Sequence, residues 1–272
     1  MISLENNNPE FEKKTLSFEM EGFGIVELNS KRESNIFFYK GIPYSLLHQI
    51  LNLYQDKIIE KKQGYINDVI GKFNIYIHFF NKKNEEIITI VYVNYKDNPI
   101  DYKRLYHLSK SLYARICSNT SIQDTIKICE KLIKIPVVDG LLAIFIVDEA
   151  GFLYFSKINE NEKKIEENKV QIAGFISAIL CFSQDYIGGK EAGFQLKSIN
   201  VGRAHFLIKV EREVIFVYFA DKQKITDRMK RYMLLIPKVF LDKYYEKDIK
   251  DFNGVLTPFY KFKEVVNQYF II

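Results

Sequence analysis

A chain of 272 residues, 47% hydrophobic, 15% aromatic and 27% charged, can bury one large core or two ordinary ones, which excludes disorder over most of its length. Its 39 basic and 34 acidic residues leave a net charge of only +5, too balanced for the dense phosphate neutralisation that nucleic-acid binding demands. The three cysteines, Cys117, Cys129 and Cys181, are odd in number and widely spaced, fitting neither a disulfide framework nor a zinc site, and read as small apolar residues of a reducing compartment.

Residues 1–15 are polar, acidic and Asn-rich. They have neither the basic start nor the apolar stretch of a signal peptide, and they predict a flexible tail. No uninterrupted apolar run reaches the roughly 18 residues of a membrane span. The expected location is the cytoplasm, with at most peripheral membrane contact.

After the tail, FGIVEL (23–28) and IFFY (36–39) flank the polar turn NSKRESN, a hairpin pattern. Gly41 and Pro43 break the second strand. Leu46, Leu47, Ile50, Leu51, Tyr54, Ile58 and Ile59 then recur at helical spacing, up to a stop near Gly64. YINDVIGK (65–72), FNIYIHFF (73–80) and EIITIVYVNY (86–95) predict three strands, with Phe73, Ile75, Ile77 and Phe79 on one face and Asn74, Tyr76 and His78 on the other. Helical spacing resumes at 101–117, and a second helix over 121–134 begins at a Thr120 or Ser121 cap and ends before Pro136.

The same layout then recurs. LLAIFIVD (141–148) and FLYFSKI (152–158) form a hairpin, and the mixed-charge loop NENEKKIEEN leads to an apolar helix at 170–187. Three more strands lie within 193–221, and helices starting near 226 and after Pro258 close the series. A repeat of this length predicts two domains, 16–134 and 140–272, joined by a linker at 135–139.

The order strand, strand, helix, three strands, helix, helix resembles the longin fold, related to the roadblock domain. The strongest local match is DGLLAIFIVDEAGFLYFSKI, similar to a longin opening hairpin with Asp148 to Gly151 at its turn. The resemblance implies an α+β architecture of two longin-like domains, each a five-stranded antiparallel sheet with the long first helix on one face and the last helices on the other. It also implies a binding platform for a small GTPase or another longin or roadblock protein, including guanine-nucleotide exchange factors of membrane traffic.

One reading of the residues bears on pairing. Phe175, Ile179 and Phe182 lie on different sides of the 170–187 helix, and a helix apolar all round is buried on more than one face. The first domain, a second chain as in a homodimer, or the closing helices of the same domain could supply the cover. Phe175→Asp is therefore expected to cost several kcal/mol, as for an unpaired buried charge.

Chemical motifs point elsewhere. IGGKEAGF (187–194) follows a helix and lacks the spacing of a phosphate-binding loop, so Gly188 and Gly189 read as a helix stop. His48, His78, His107 and His205 have no metal-ligand spacing, and His78 and His205 read as structural residues of corresponding strands. Asp148 and Glu149 suit a turn better than acid/base work. Lys222, Lys224, Arg228, Lys230 and Arg231 could meet an acidic surface, but with Asp221 and Asp227 among them they read as a solvated helix face. The sequence thus predicts no enzyme, no metal and no cofactor. It predicts a non-catalytic docking platform, with a structural subunit of a coat, tether or transport complex as the alternative, and with Tyr54, Lys57, Lys61, Gln184 and Tyr186 on the paired first helices as contact residues.

Overall fold

The computed structural model describes residues 18–82, 86–98, 100–118, 122–183, 198–202 and 204–272. The chain divides into two compact units, Met1–Pro136 and Val137–Ile272.

The first unit contains β1 (Phe18–Glu19), β2 (Gly22–Leu28), β3 (Ser34–Lys40), α1 (Tyr44–Lys61), β4 (Gly64–Ile70), β5 (Phe73–Asn81), β6 (Ile87–Tyr95), α2 (Tyr102–Cys117), α3 (Ile122–Leu132) and β7 (Ile133–Lys134). Its main sheet is antiparallel, in the order β3-β2-β6-β5-β4. Period-two alternation sorts the side chains onto two faces. Ile75, Ile77 and Phe79 pack with Leu47, Ile50, Leu51 and Ile58 of α1. Tyr76, Ile90 and Tyr92 pack with Leu105, Leu108 and Leu112 of α2.

Local chemistry sets the element boundaries. Asn29 Oδ1 accepts from the backbone N–H groups of Lys31 and Glu33, closing the β2–β3 turn. Lys62, with φ 59°, returns its N–H to Ile58 and stops α1 in the left-handed conformation usually given to glycine. Asp101 caps α2 by accepting from the Arg104 N–H at 3.0 Å. A Cβ on Gly24 would come within 2.9 Å of the Leu47 side chain, so glycine there lets α1 approach the sheet.

The second unit contains β8 (Leu141–Asp148), β9 (Leu153–Ile158), α4 (Lys163–Glu167), α5 (Lys169–Phe182), β10 (Ser198–Val201), β11 (Ala204–Glu211), β12 (Val214–Asp221), α6 (Asp227–Tyr244) and α7 (Phe262–Val266). A π-helical turn at Tyr245–Ile249 and a 3-10 turn at Thr257–Lys261 lie between α6 and α7. The sheet order β10-β11-β12-β8-β9 is the order of the first unit with each strand replaced by its counterpart. Ala143, Phe145, Val147, Ile215 and Val217 face α5. On the opposite face Phe216 meets Phe240 of α6 edge-on at 5.8 Å. The molecule is therefore α+β with two five-stranded antiparallel sheets.

Three features differ from the sequence expectation. Helix α3 stops at Leu132, and Ile133–Lys134 pair in parallel with β1. The loop after β9 contains the short helix α4. Within the expected linker Ile135 is buried, and Val138 exchanges backbone hydrogen bonds with Tyr269 and Ile271 near the end of its own unit. Gln184, Tyr186 and the 187–194 segment lie outside the described residues.

Candidate partner-binding surfaces

The contact residues expected on α1 separate into two kinds. Lys57 and Lys61 are exposed. Tyr54 is only 8% exposed, and its phenol donates to Asp68 Oδ2 on β4 at 2.6 Å. This corrects its reading as a contact residue: the ring belongs to the core, because position 54 continues the stripe of Leu47, Ile50, Leu51 and Ile58. Burial, then the bond and charge of Asp68, push the Tyr54 phenol up to about 12. The outer face of α1 is polar, with Gln49, Asn52, Asp56, Lys57 and Glu60 exposed beside one outward leucine, Leu53.

Helix α5, its counterpart, has the opposite character. Ala173, Ile176, Ser177 and Leu180 are buried on the sheet, and Ser177 Oγ donates to the Glu149 carbonyl at the β8–β9 turn. The other side carries no charged residue from Val170 to Phe182. There Val170, Phe175 and Phe182 remain 65%, 52% and 56% exposed, and Ile179 is half-buried. Within the second unit the sheet buries one stripe of this helix and leaves the rest, so the cover expected for Phe175, Ile179 and Phe182 from another domain or chain is not part of that packing.

A cleft of about 300 Å³ opens in the second unit where three separate turns converge. Asp148 and Glu149 come from the β8–β9 turn, Arg212 and Glu213 from the β11–β12 turn, and Tyr245, Ile249 and Lys250 from the π-helical segment and the residue after it, with Tyr154 on the wall. The Arg212 guanidinium lies 5.0 Å from the centre of the Tyr245 ring. Burial first, then the charges of Asp148 and Glu213, push the Tyr154 phenol up to about 12, so it stays protonated and can act as a donor. Asp148 Oδ1 accepts from the Phe152 N–H, in keeping with a turn role. Pattern reading missed this cleft because no short window contains its residues.

The remaining sequence candidates have structural settings. Lys224 pairs with Asp139 at 2.7 Å and Lys230 with Asp227 at 3.3 Å, within the basic series. His78 and His205 lie on counterpart strands but at opposite ends of them: His78 is opposite Ile90 near the β5–β6 loop, and His205 is opposite Ala220 near the β10–β11 turn. Among the described residues no group of three His, Cys, Asp or Glu side chains could hold a metal ion. No helix among them is long and apolar enough to cross a membrane.

No protein-family model matches the chain, and no curated protein sequence matches it.

Proposed function

We propose that this protein is a non-catalytic binding platform of the tandem-longin type that docks a small GTPase, as an exchange factor or effector in membrane traffic. The observation that carries this reading is the outer face of α5: an uncharged helical surface with Phe175 and Phe182 both more than half exposed. Contiguous exposed apolar surface of this kind marks protein-interaction sites, and large aromatics are the commonest anchors of such interfaces. The shared strand order of the two units, with the long helix on one face of each sheet, supports the longin assignment. Nucleotide exchange needs preferential binding to the nucleotide-free GTPase, not proton transfer, so the platform needs no reactive cluster.

The test is calorimetric titration of the protein with each small GTPase of the source genome, nucleotide-loaded and nucleotide-free. The expected result is binding to at least one of them, lost in Phe175→Asp. Binding to none in either state replaces this reading with the structural-subunit one.

A further inference from the structure

Each five-stranded sheet has two edges, and three of the four resulting edge strands carry protection against pairing with another chain. Strand β3 pairs with β2 through a register shift at Ile25/Val26 and ends in Lys40. Strand β9 has a shift opposite Ile146/Val147 and carries Lys157. Strand β10 is four residues long.

Strand β4 has none of these devices. It runs seven residues, GYINDVI, in unbroken register with β5 from Gly64 opposite Phe79 to Ile70 opposite Phe73, without lysine or proline. Its one charge, Asp68, accepts from the Tyr54 phenol through Oδ2 and from the Val69 N–H through Oδ1, so its carboxylate holds a single edge amide, which an added strand must take over. Tyr65, Val69 and Ile70 stand 67%, 47% and 38% exposed, placed to meet side chains of an added strand.

The charges at the two ends of the strand select what can be added. Exposed Lys61 and Lys62 precede β4 and exposed Lys72 follows it, none with an ion-pair partner among the described residues. An antiparallel second copy in full overlap would set Gly64 against Ile70 of that copy, and therefore Lys62 against Lys72 at both ends. Like charges placed opposite one another disfavour that pairing.

We infer that the edge of β4 accepts, by strand addition, an extended segment of a different polypeptide that alternates β-branched residues and carries carboxylates at both ends. Main-chain hydrogen bonds to β4 supply affinity, while Tyr65, Val69 and the flanking lysines supply selectivity. The site is on the first unit and does not depend on the α5 surface of the proposed function.

The probes are two synthetic peptides with a core of alternating valine and threonine, one flanked by two glutamates at each end and the other by two lysines. Binding is followed by calorimetry and by amide hydrogen exchange. The glutamate peptide is expected to slow exchange within residues 64–70, to bind at least ten-fold more tightly than the lysine peptide, and to weaken as salt is raised. Val69→Lys, at an exposed position, should abolish binding without changing the melting curve. Replacing Lys61, Lys62 and Lys72 with glutamate should reverse the peptide preference, and Phe175→Asp should leave binding unchanged. Absence of protection at 64–70 with either peptide, or equal affinity for both, overturns the inference. So does a dimer in sedimentation that Val69→Lys converts to monomer, because a second copy would then occupy the edge.

Discussion

The phenol of Tyr218 on β12 donates a hydrogen bond to the backbone carbonyl of Met233 on α6, 2.9 Å away. Met233 precedes Pro237 by four residues within that helix, and proline has no N–H to satisfy the i−4 carbonyl. The sheet thus supplies, across a buried contact, the donor that the helix lacks. Tyr218→Phe leaves the carbonyl without that donor and should cost about 1–3 kcal/mol. Pro237→Ala gives the helix an N–H of its own, so in that background the tyrosine change should cost about 1 kcal/mol less. Urea denaturation of the four proteins in this cycle measures the coupling, and strictly additive costs would rule it out.

His78, 3% exposed between β5 and α2, has no partner for Nδ1 and stacks on Tyr106. Burial, with a smaller contribution from Lys110, pushes its imidazole down from 6.5 to about 4. The folded state therefore binds this proton less readily than the unfolded state. The associated stability is fully present above pH 6.5 and declines as pH falls from 6.5 to about 4, by on the order of 3 kcal/mol. His78→Phe should remove that part of the acid sensitivity. The Tm of His78→Phe minus that of the parent should rise as pH falls from 7.5 to 4, and a difference independent of pH would exclude the effect.

The β11–β12 hairpin turns on Arg212 and Glu213, with φ 51° and 64°. Turns of this hand favour Asn-Gly, because in the left-handed region a Cβ crowds the following carbonyl oxygen. Glu213→Gly should stabilise the protein by about 1 kcal/mol, visible as a higher urea midpoint. An unchanged midpoint would show that the turn holds no such strain.

Phe175→Asp should shift the urea midpoint of the isolated chain little, within about 0.5 kcal/mol, because its ring is already half in water. The same change should abolish association at the α5 face. A loss of several kcal/mol in the isolated chain would mean that the ring is packed in solution.

Much of the fold was legible in the sequence because two periods carried it. Alternation from Phe73 to Phe79 assigned both faces of β5, and the Leu47 to Ile58 stripe assigned the core side of α1. Short pairings such as Phe18–Ile133 were not legible, since two residues have no period and the partners are far apart in sequence. The candidate surfaces were harder to read for a related reason. Hydrophobicity alone does not say what covers a helix face, so Phe175 and Phe182 read as interface residues with no sign of their partner. Tyr54 read as a contact because its polar tip gave no sign that Asp68 was within reach. The tight turn between β11 and β12 was legible one residue early, at Glu211–Arg212, but its positive φ at Arg212 and Glu213 was not, because neither residue favours that conformation.

In both units an early described residue and a late one run side by side in the same direction: Phe18 beside Ile133, and Val138 beside Phe270. From Phe18 onward in the first unit and from Val138 onward in the second, the ends of the described chain lie about one strand spacing apart, roughly 5 Å. Each unit is therefore a cassette with adjoining ends, and only three residues separate Lys134, which closes the first, from Val138, which opens the second. A segment of this kind can be copied in tandem without stretching either copy, and it can be cut out, or reopened at a loop, with a linker of a few residues. The architecture that allowed one layout to appear twice also allows the two copies to diverge separately, one keeping a polar helix outward and the other an apolar one.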